Sequence, residues 1–254
     1  MIFRILGLEE EISGQSFALV RKTLHRLWLD WLKLNPIEDS PEQRFEQLKN
    51  LFYKELGFSS DWQSYYHSKN SLISDVLSRR CGNGTSLSVL LHYFARKLDI
   101  ECHAIAFPAQ TILAFSLGTK CIYFDAFSAE QKTVAQLEVI HRGHKGNLAR
   151  LLSDNLEPMS SADMTKRWLG ELKSACLRED EFERALQTSQ ILIRLKPGDP
   201  HEMRDRGFIY QQLDCNSVAI NDFEYFIEQC PDDPLSKILK VQIHTMDSQP
   251  AILH

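Results

Sequence analysis

The chain of 254 residues carries a formal net charge of −5, and 43% of its residues are hydrophobic. That apolar share supports packed cores and excludes a disordered chain. No run approaches the roughly 18 consecutive apolar residues of a membrane span, and the start MIFRILGLEEE is a poor export signal. A soluble, cytoplasmic protein with no membrane partner is expected. The charge is uneven: Asp163 to His254 holds 11 basic and 16 acidic residues, and the remainder 18 of each. An acidic C-terminal part argues against nucleic acid as a partner.

Residues 1–38 read as a helical segment. Phe17, Val20, Leu24, Leu27 and Trp31 recur at helical spacing, and Pro36 closes the run. Too few basic residues flank this stripe for a membrane-surface helix, so it is expected to pack in a core. A domain over 39–150 follows. Ser40-Pro41-Glu42-Gln43 predicts a helix start, with Ser40 as N-cap, Pro41 in the first turn and Gln43 placed to close a capping box. Phe45, Leu48, Phe52 and Leu56 extend the stripe to Gly57. Arg80-Cys81-Gly82-Asn83-Gly84 predicts a tight turn whose glycines take positive φ. Thr85 or Ser86 would then cap a buried helix from about Leu87 to Leu98. Strands are predicted over Cys102–Phe107, Thr111–Leu117 and Lys120–Phe127, the last two joined by a hairpin at Gly118-Thr119. His141-x-x-His144 has metal-ligand spacing, but Gly143 and Gly146 argue against a helix there and no third ligand is evident. No metal or other cofactor is expected. The cysteines at 81, 102, 121, 176, 215 and 230 form no C-x-x-C pair and read mostly as small buried hydrophobes of a reducing compartment.

The C-terminal part, 163–254, repeats itself. A shift of 34 residues brings Ala185 onto Ala219, Leu186 onto Ile220, Pro197 onto Pro231, Asp199 onto Asp233 and Pro200 onto Pro234. This is the tetratricopeptide period, with small residues where paired helices touch. Repeats are assigned to about 166–199 and 200–233, with a capping helix over Leu235–His244. The fold class is therefore α+β: a helical N-terminal segment, a core with a short antiparallel sheet, and an all-α repeat domain. Such repeats present a surface for a protein or peptide. Lys173, Arg204 and Arg206 are candidate residues for clamping a partner's carboxylate there. Their alternative is internal pairing with Glu202, Asp205 and Asp222.

The order of a buried helix and then antiparallel strands resembles the transglutaminase-like core. In that family a Gly-x-Cys opens the helix, which ends twelve residues later in Arg-x-x-Gly-Ile. The matching end here is Arg96-Lys97-Leu98-Asp99-Ile100, and counting back places Gly84 at the nucleophile position. Counting back fifteen residues from Asp125, the match to the family's aspartate, places Gln110 at the histidine position. Glycine cannot attack a carbonyl and glutamine cannot take a proton near neutral pH, so the implied triad of Gly84, Gln110 and Asp125 is degenerate. Gln110 could instead donate a hydrogen bond to Asp125. The whole chain, through NGTSLS, Phe107-Pro108-Ala109-Gln110 and the run DPHEMRDRGFIYQQLDCNSVAINDFEYFIEQCPDDP, resembles the SirB (YchA-like) family, which joins such a domain to tetratricopeptide repeats. The resemblance implies a non-catalytic interaction or regulatory protein. The alternative is a thiol hydrolase or acyltransferase with Cys81 as a relocated nucleophile and His92 or His103 as base.

Overall fold

A computed structural model describes residues 1–108 and 110–247. Ala109, within the Phe107–Gln110 motif, and residues 248–254 at the end of the expected repeat domain lie outside them. Contacts divide the chain into two compact units, Met1–Trp168 and Leu169–His254. The expected segments 1–38 and 39–150 thus fall together in the first unit, and the expected repeat start at 163 falls shortly before the division.

The first unit opens with α1 (Ile2–Ser13) and α2 (Phe17–Leu32), separated by Gly14 at φ 71°. Helix α3 (Pro41–Lys49) starts as the sequence predicts, with Ser40 Oγ accepting from the Gln43 N–H at 3.2 Å. The return bond from the Gln43 side chain is not made, so only half of the capping box forms. The chain then continues as a wider π-type turn over Asn50–Glu55 before Gly57 at φ 70°. Two-residue strands β1 (Ser59–Ser60) and β2 (Cys81–Gly82) pair in parallel around α4 (Ile73–Arg79).

Helix α5 (Gly84–Lys97) begins three residues earlier than predicted. Its N-cap is Asn83, whose Oδ1 accepts from the Ser86 N–H at 2.9 Å. Its Nδ2 donates to Ser71 Oγ at 2.9 Å. Neither Gly82 nor Gly84 takes positive φ; Arg80, at φ 58°, makes the turn instead. Gly82 is required by space: a Cβ there would sit 2.6 Å from Ser86 Oγ and 3.0 Å from both Val76 methyls. Asp99, where the family pattern has glycine, holds φ 53° as the helix ends.

Strands β3 (Glu101–Phe107), β4 (Gln110–Leu117), β5 (Lys120–Asp125) and β6 (Glu130–Lys132) form an antiparallel sheet in that order. The β4–β5 turn is the expected hairpin, with Leu117 opposite Lys120 and Gly118 at φ 62°. On one face, Phe115 and Phe124 pack on Phe45 of α3 with ring centroids 4.9 and 5.8 Å away. On the other, Ile105, Phe107 and Ile112 pack on Leu137 of α6 (Val134–Lys145). Contrary to expectation, α6 runs straight through Gly143. A closed capping box at Thr133 and Gln136, together with burial of Leu137 and His141, outweighs the cost of roughly 1 kcal/mol for a glycine in a helix.

Helix α7 (Ser161–Arg178) runs across the division between units. Then α8 (Phe182–Leu195), α9 (Pro200–Gln212), α10 (Asn216–Gln229) and α11 (Pro234–Asp247) follow. The period is visible in the packing: Ala185 and Ala219 are both fully buried, and Pro200 and Pro234 each open a helix. Gly207 lets α9 and α10 touch, since a Cβ there would fall 2.6 Å from the Phe223 ring.

Candidate functional site

The first turn of α5, the start of β4 and the end of β5 meet at the place where the family resemblance would put a triad. Gly84 is the first helical residue, and a Cβ on it would be 3.6 Å from the Phe127 Cβ. Thr85 reaches the sheet: its Oγ1 lies 3.1 Å from Thr111 Oγ1, and both residues are buried. Asp125 ends β5 and is 6% exposed. Its Oδ1 accepts from the Phe127 N–H and its Oδ2 from the Ser128 hydroxyl, both at 2.9 Å. The carboxylate therefore holds the turn after β5, which places Phe127 beside Gly84.

Gln110 does not donate to Asp125; its Nε2 is buried without a hydrogen-bond partner among the described residues. The register does not separate the two, since Asp125 stands opposite Ile112, two residues along β4 from Gln110 and on its face; it does separate Gln110 from α5. Gln110 stands opposite Phe107, and Phe107 belongs to the cluster beneath α6. Directly opposed residues share a face and neighbours along a strand alternate, so Thr111 rather than Gln110 turns toward α5. Thr85 and Thr111 were missed in the sequence because counting along the chain fixes position but not the side of the pleat.

An aromatic rim surrounds this place. Trp62 and Tyr65 meet Phe127 edge-on, with centroids 4.4 and 5.1 Å away, and Trp62 is 70% exposed. The segment carrying these rings is tied down through Asp61, which accepts from Asn70 Nδ2 and Arg79 Nη2, each at 3.1 Å. These bonds, led by the one from the Ser64 N–H, hold the Asp61 carboxyl below its ordinary range. Tyr53 donates to the Ala126 carbonyl at 2.9 Å. Burial first, and then the nearby Asp125 charge, keep its phenol protonated.

Neither His92 nor His103 is bonded to Cys81 among the described residues. Cys81 is a half-buried free thiol on β2. His92 lies eight residues into α5 from Gly84, about 12 Å along the axis. Burial lowers its pKa to about 4, aided by the positive charges of the chain N-terminus and Arg96. His103 is exposed on β3 and sits 3.2 Å from Glu101. Burial pushes the Cys102 thiol well above its ordinary value and the Cys176 thiol up to about 12. His141 and His144 do share a helix, but no group of three or more His, Cys, Asp or Glu side chains is placed to hold a metal among the described residues.

The three cations proposed to clamp a carboxylate are internally paired. Lys173, 5% exposed, binds Glu202 and also Asp205 at 2.9 Å. Arg204 pairs with Asp205 at 2.6 Å and lies over the Phe226 ring. Arg206 grips Asp222 through two bonds of 2.7 and 2.6 Å.

A buried helix on an antiparallel sheet, followed by paired helices at a 34-residue period, defines a transglutaminase-like domain joined to tetratricopeptide repeats. Comparison with known families agrees. The transglutaminase-like superfamily matches residues 18–170 and the tetratricopeptide repeat matches 172–244. The UPF0162 protein of Vibrio cholerae is 42% identical over 84% of this chain and 80% of its own length. Protein SirB1 of Salmonella typhimurium is 36% identical over 85% of this chain and 80% of its own. The UPF0162 protein YchA of Escherichia coli is 35% identical over 84% and 80%. No solved structure matches. The chain belongs to the SirB1/YchA (UPF0162) family.

Proposed function

We propose that this protein is a non-catalytic, cytoplasmic interaction protein: a transglutaminase-like core without thiol chemistry, carrying repeats that take a protein or peptide partner in a regulatory role. The observation that carries the first half is the buried Thr85–Thr111 hydroxyl contact at 3.1 Å, next to Gly84. A thiol acyl-transfer site needs a thiolate at the helix N-terminus and an imidazole facing it. Two hydroxyls satisfying one another supply neither. The repeats support the second half, since tetratricopeptide arrays generally hold peptides. A binding role for Lys173, Arg204 and Arg206 then requires exchange, with a partner's acid displacing Glu202, Asp205 or Asp222.

The test is a cysteine-by-cysteine alkylation time course by mass spectrometry, folded against urea-unfolded, with an intact-mass measurement after incubation with a peptide thioester. Every cysteine should react no faster folded than unfolded, and no acyl adduct should form. A Cys81 that alkylates faster in the folded chain, or that acquires the acyl group, would replace this reading with the relocated-nucleophile enzyme.

A further inference from the structure

A cavity of about 310 Å³ opens at the β3–β4 turn, on the α6 side of the sheet, bounded by Phe107, Pro108, His141, Lys145, Asn155 and Arg167. We propose that it is an anion-binding site for a small molecule bearing an oxyanion head, a phosphate or carboxylate. This is independent of any partner on the repeats.

His141 and Lys145 lie four residues apart on α6, so both side chains fall on one face of the helix. His141 is 7% exposed and lines the cavity, yet its Nδ1 is buried without a hydrogen-bond partner. That nitrogen is shielded from the cavity as well as from solvent, so the ring's Nε2 is the atom that a ligand could reach. Lys145 is exposed and forms no ion pair among the described residues. Asn155 is oriented by its Oδ1, which accepts from the Leu152 N–H at 2.8 Å, and its NH₂ adds two donors. Arg167 is held at the cavity by a 3.1 Å bond from Nη1 to the Phe107 carbonyl.

The lining is therefore rich in donors and contains no carboxylate. Lys and Arg only donate, and Asn155 adds two N–H donors beside an oxygen already partly engaged by the backbone. A ligand that fits must bring acceptor oxygens and negative charge. The volume lies near the lower end of small-molecule sites, and Phe107 and Pro108 offer an apolar wall beside the charged end. His141-x-x-His144 has metal-ligand spacing, discounted on sequence grounds; His141 lines this cavity together with Lys145 and Arg167, whose charges disfavour a cation.

The experiment is isothermal titration of the full chain at pH 7 with sodium phosphate and, separately, sodium acetate, each against sodium chloride at matched ionic strength. Saturable binding of at least one anion is expected. Lys145→Met and His141→Gln should each weaken it about tenfold or more, the scale of losing one charge-assisted hydrogen bond. Lys145 is exposed, so Lys145→Met should keep the wild-type circular dichroism and melting temperature. Binding of phosphate, of acetate or of both supports the site and identifies its head group. No binding beyond chloride, or binding that both substitutions leave unchanged, overturns it.

Discussion

At the scale of single residues, the glycines at 82, 84 and 207 have different physical duties. Gly84 is helical, and a Cβ on it would make only an ordinary contact at 3.6 Å. Gly84→Ala should thus leave the melting temperature unchanged or raise it, by the equivalent of about 0.4–1 kcal/mol from reduced unfolded-state entropy. Gly207→Ala forces a methyl to 2.6 Å from the Phe223 ring and should cost about 1–3 kcal/mol in urea unfolding. A Gly84→Ala variant that unfolded would mean that Gly84 is a packing constraint, which a 3.6 Å contact does not predict. His92 gives a pH dependence. Its folded pKa, about 4, lies below its ordinary 6.5, so the unfolded chain takes the proton first. Its contribution is complete above pH ~6.5 and is lost as pH falls toward ~4, by up to about 2–4 kcal/mol. The stability difference between wild type and His92→Gln should shift against wild type by part of that amount between pH 7 and pH 5; parallel profiles would refute the assignment. None of this is printed in the residue types. A glycine looks the same in sequence whether it is needed for φ, for space or for nothing, and Gly82 was read as a φ residue when its neighbours Ser86 and Val76 are the reason for it.

At the scale of elements, the parts legible in the sequence are those with a repeating or local cause. The hairpin at Gly118 and the cap at Ser40 rest on a few adjacent residues, the 34-residue period on recurrence, and each is present. The start of α5 was misplaced because Asn83, Thr85 and Ser86 are all competent caps. Asn83 wins through a tertiary bond to Ser71 that no local pattern contains. The cavity beside α6 was illegible for a similar reason: four separate stretches of chain line it. In the repeats, the pairing of α9 with α10 includes an ion pair that gives Arg206 a structural duty, whatever else it does. Asp222 is buried and holds two bonds from that guanidinium, which in turn raise the arginine's pKa. Removing Arg206 strands a buried carboxylate, so Arg206→Ala should destabilise the repeats by about 2–4 kcal/mol in chemical denaturation. A residue serving only as a peptide clamp would leave stability unchanged and alter binding alone.

At the scale of the whole chain, the division between units falls inside α7, between Trp168 and Leu169. The family matches change over at nearly the same place, at 170 and 172. A single helix thus supplies the end of one unit and the start of the next, which no composition shift or linker announces. Trp168 is fully buried, and its indole N–H donates to the Ser71 carbonyl at 2.7 Å. Ser71 also accepts from the Asn83 cap of α5, so this tryptophan braces the segment that presents Gly84 and Thr85. Trp168→Ala removes a large core side chain and orphans that carbonyl, a loss of about 3–5 kcal/mol. If the two units are also two energetic units, native-state hydrogen exchange in this variant should accelerate at amides of α4 and α5 while those of α9 and α10 keep wild-type protection. Equal loss in both places would instead make the chain one cooperative body. The partner proposed for the repeats could then influence the transglutaminase-like core through stability alone.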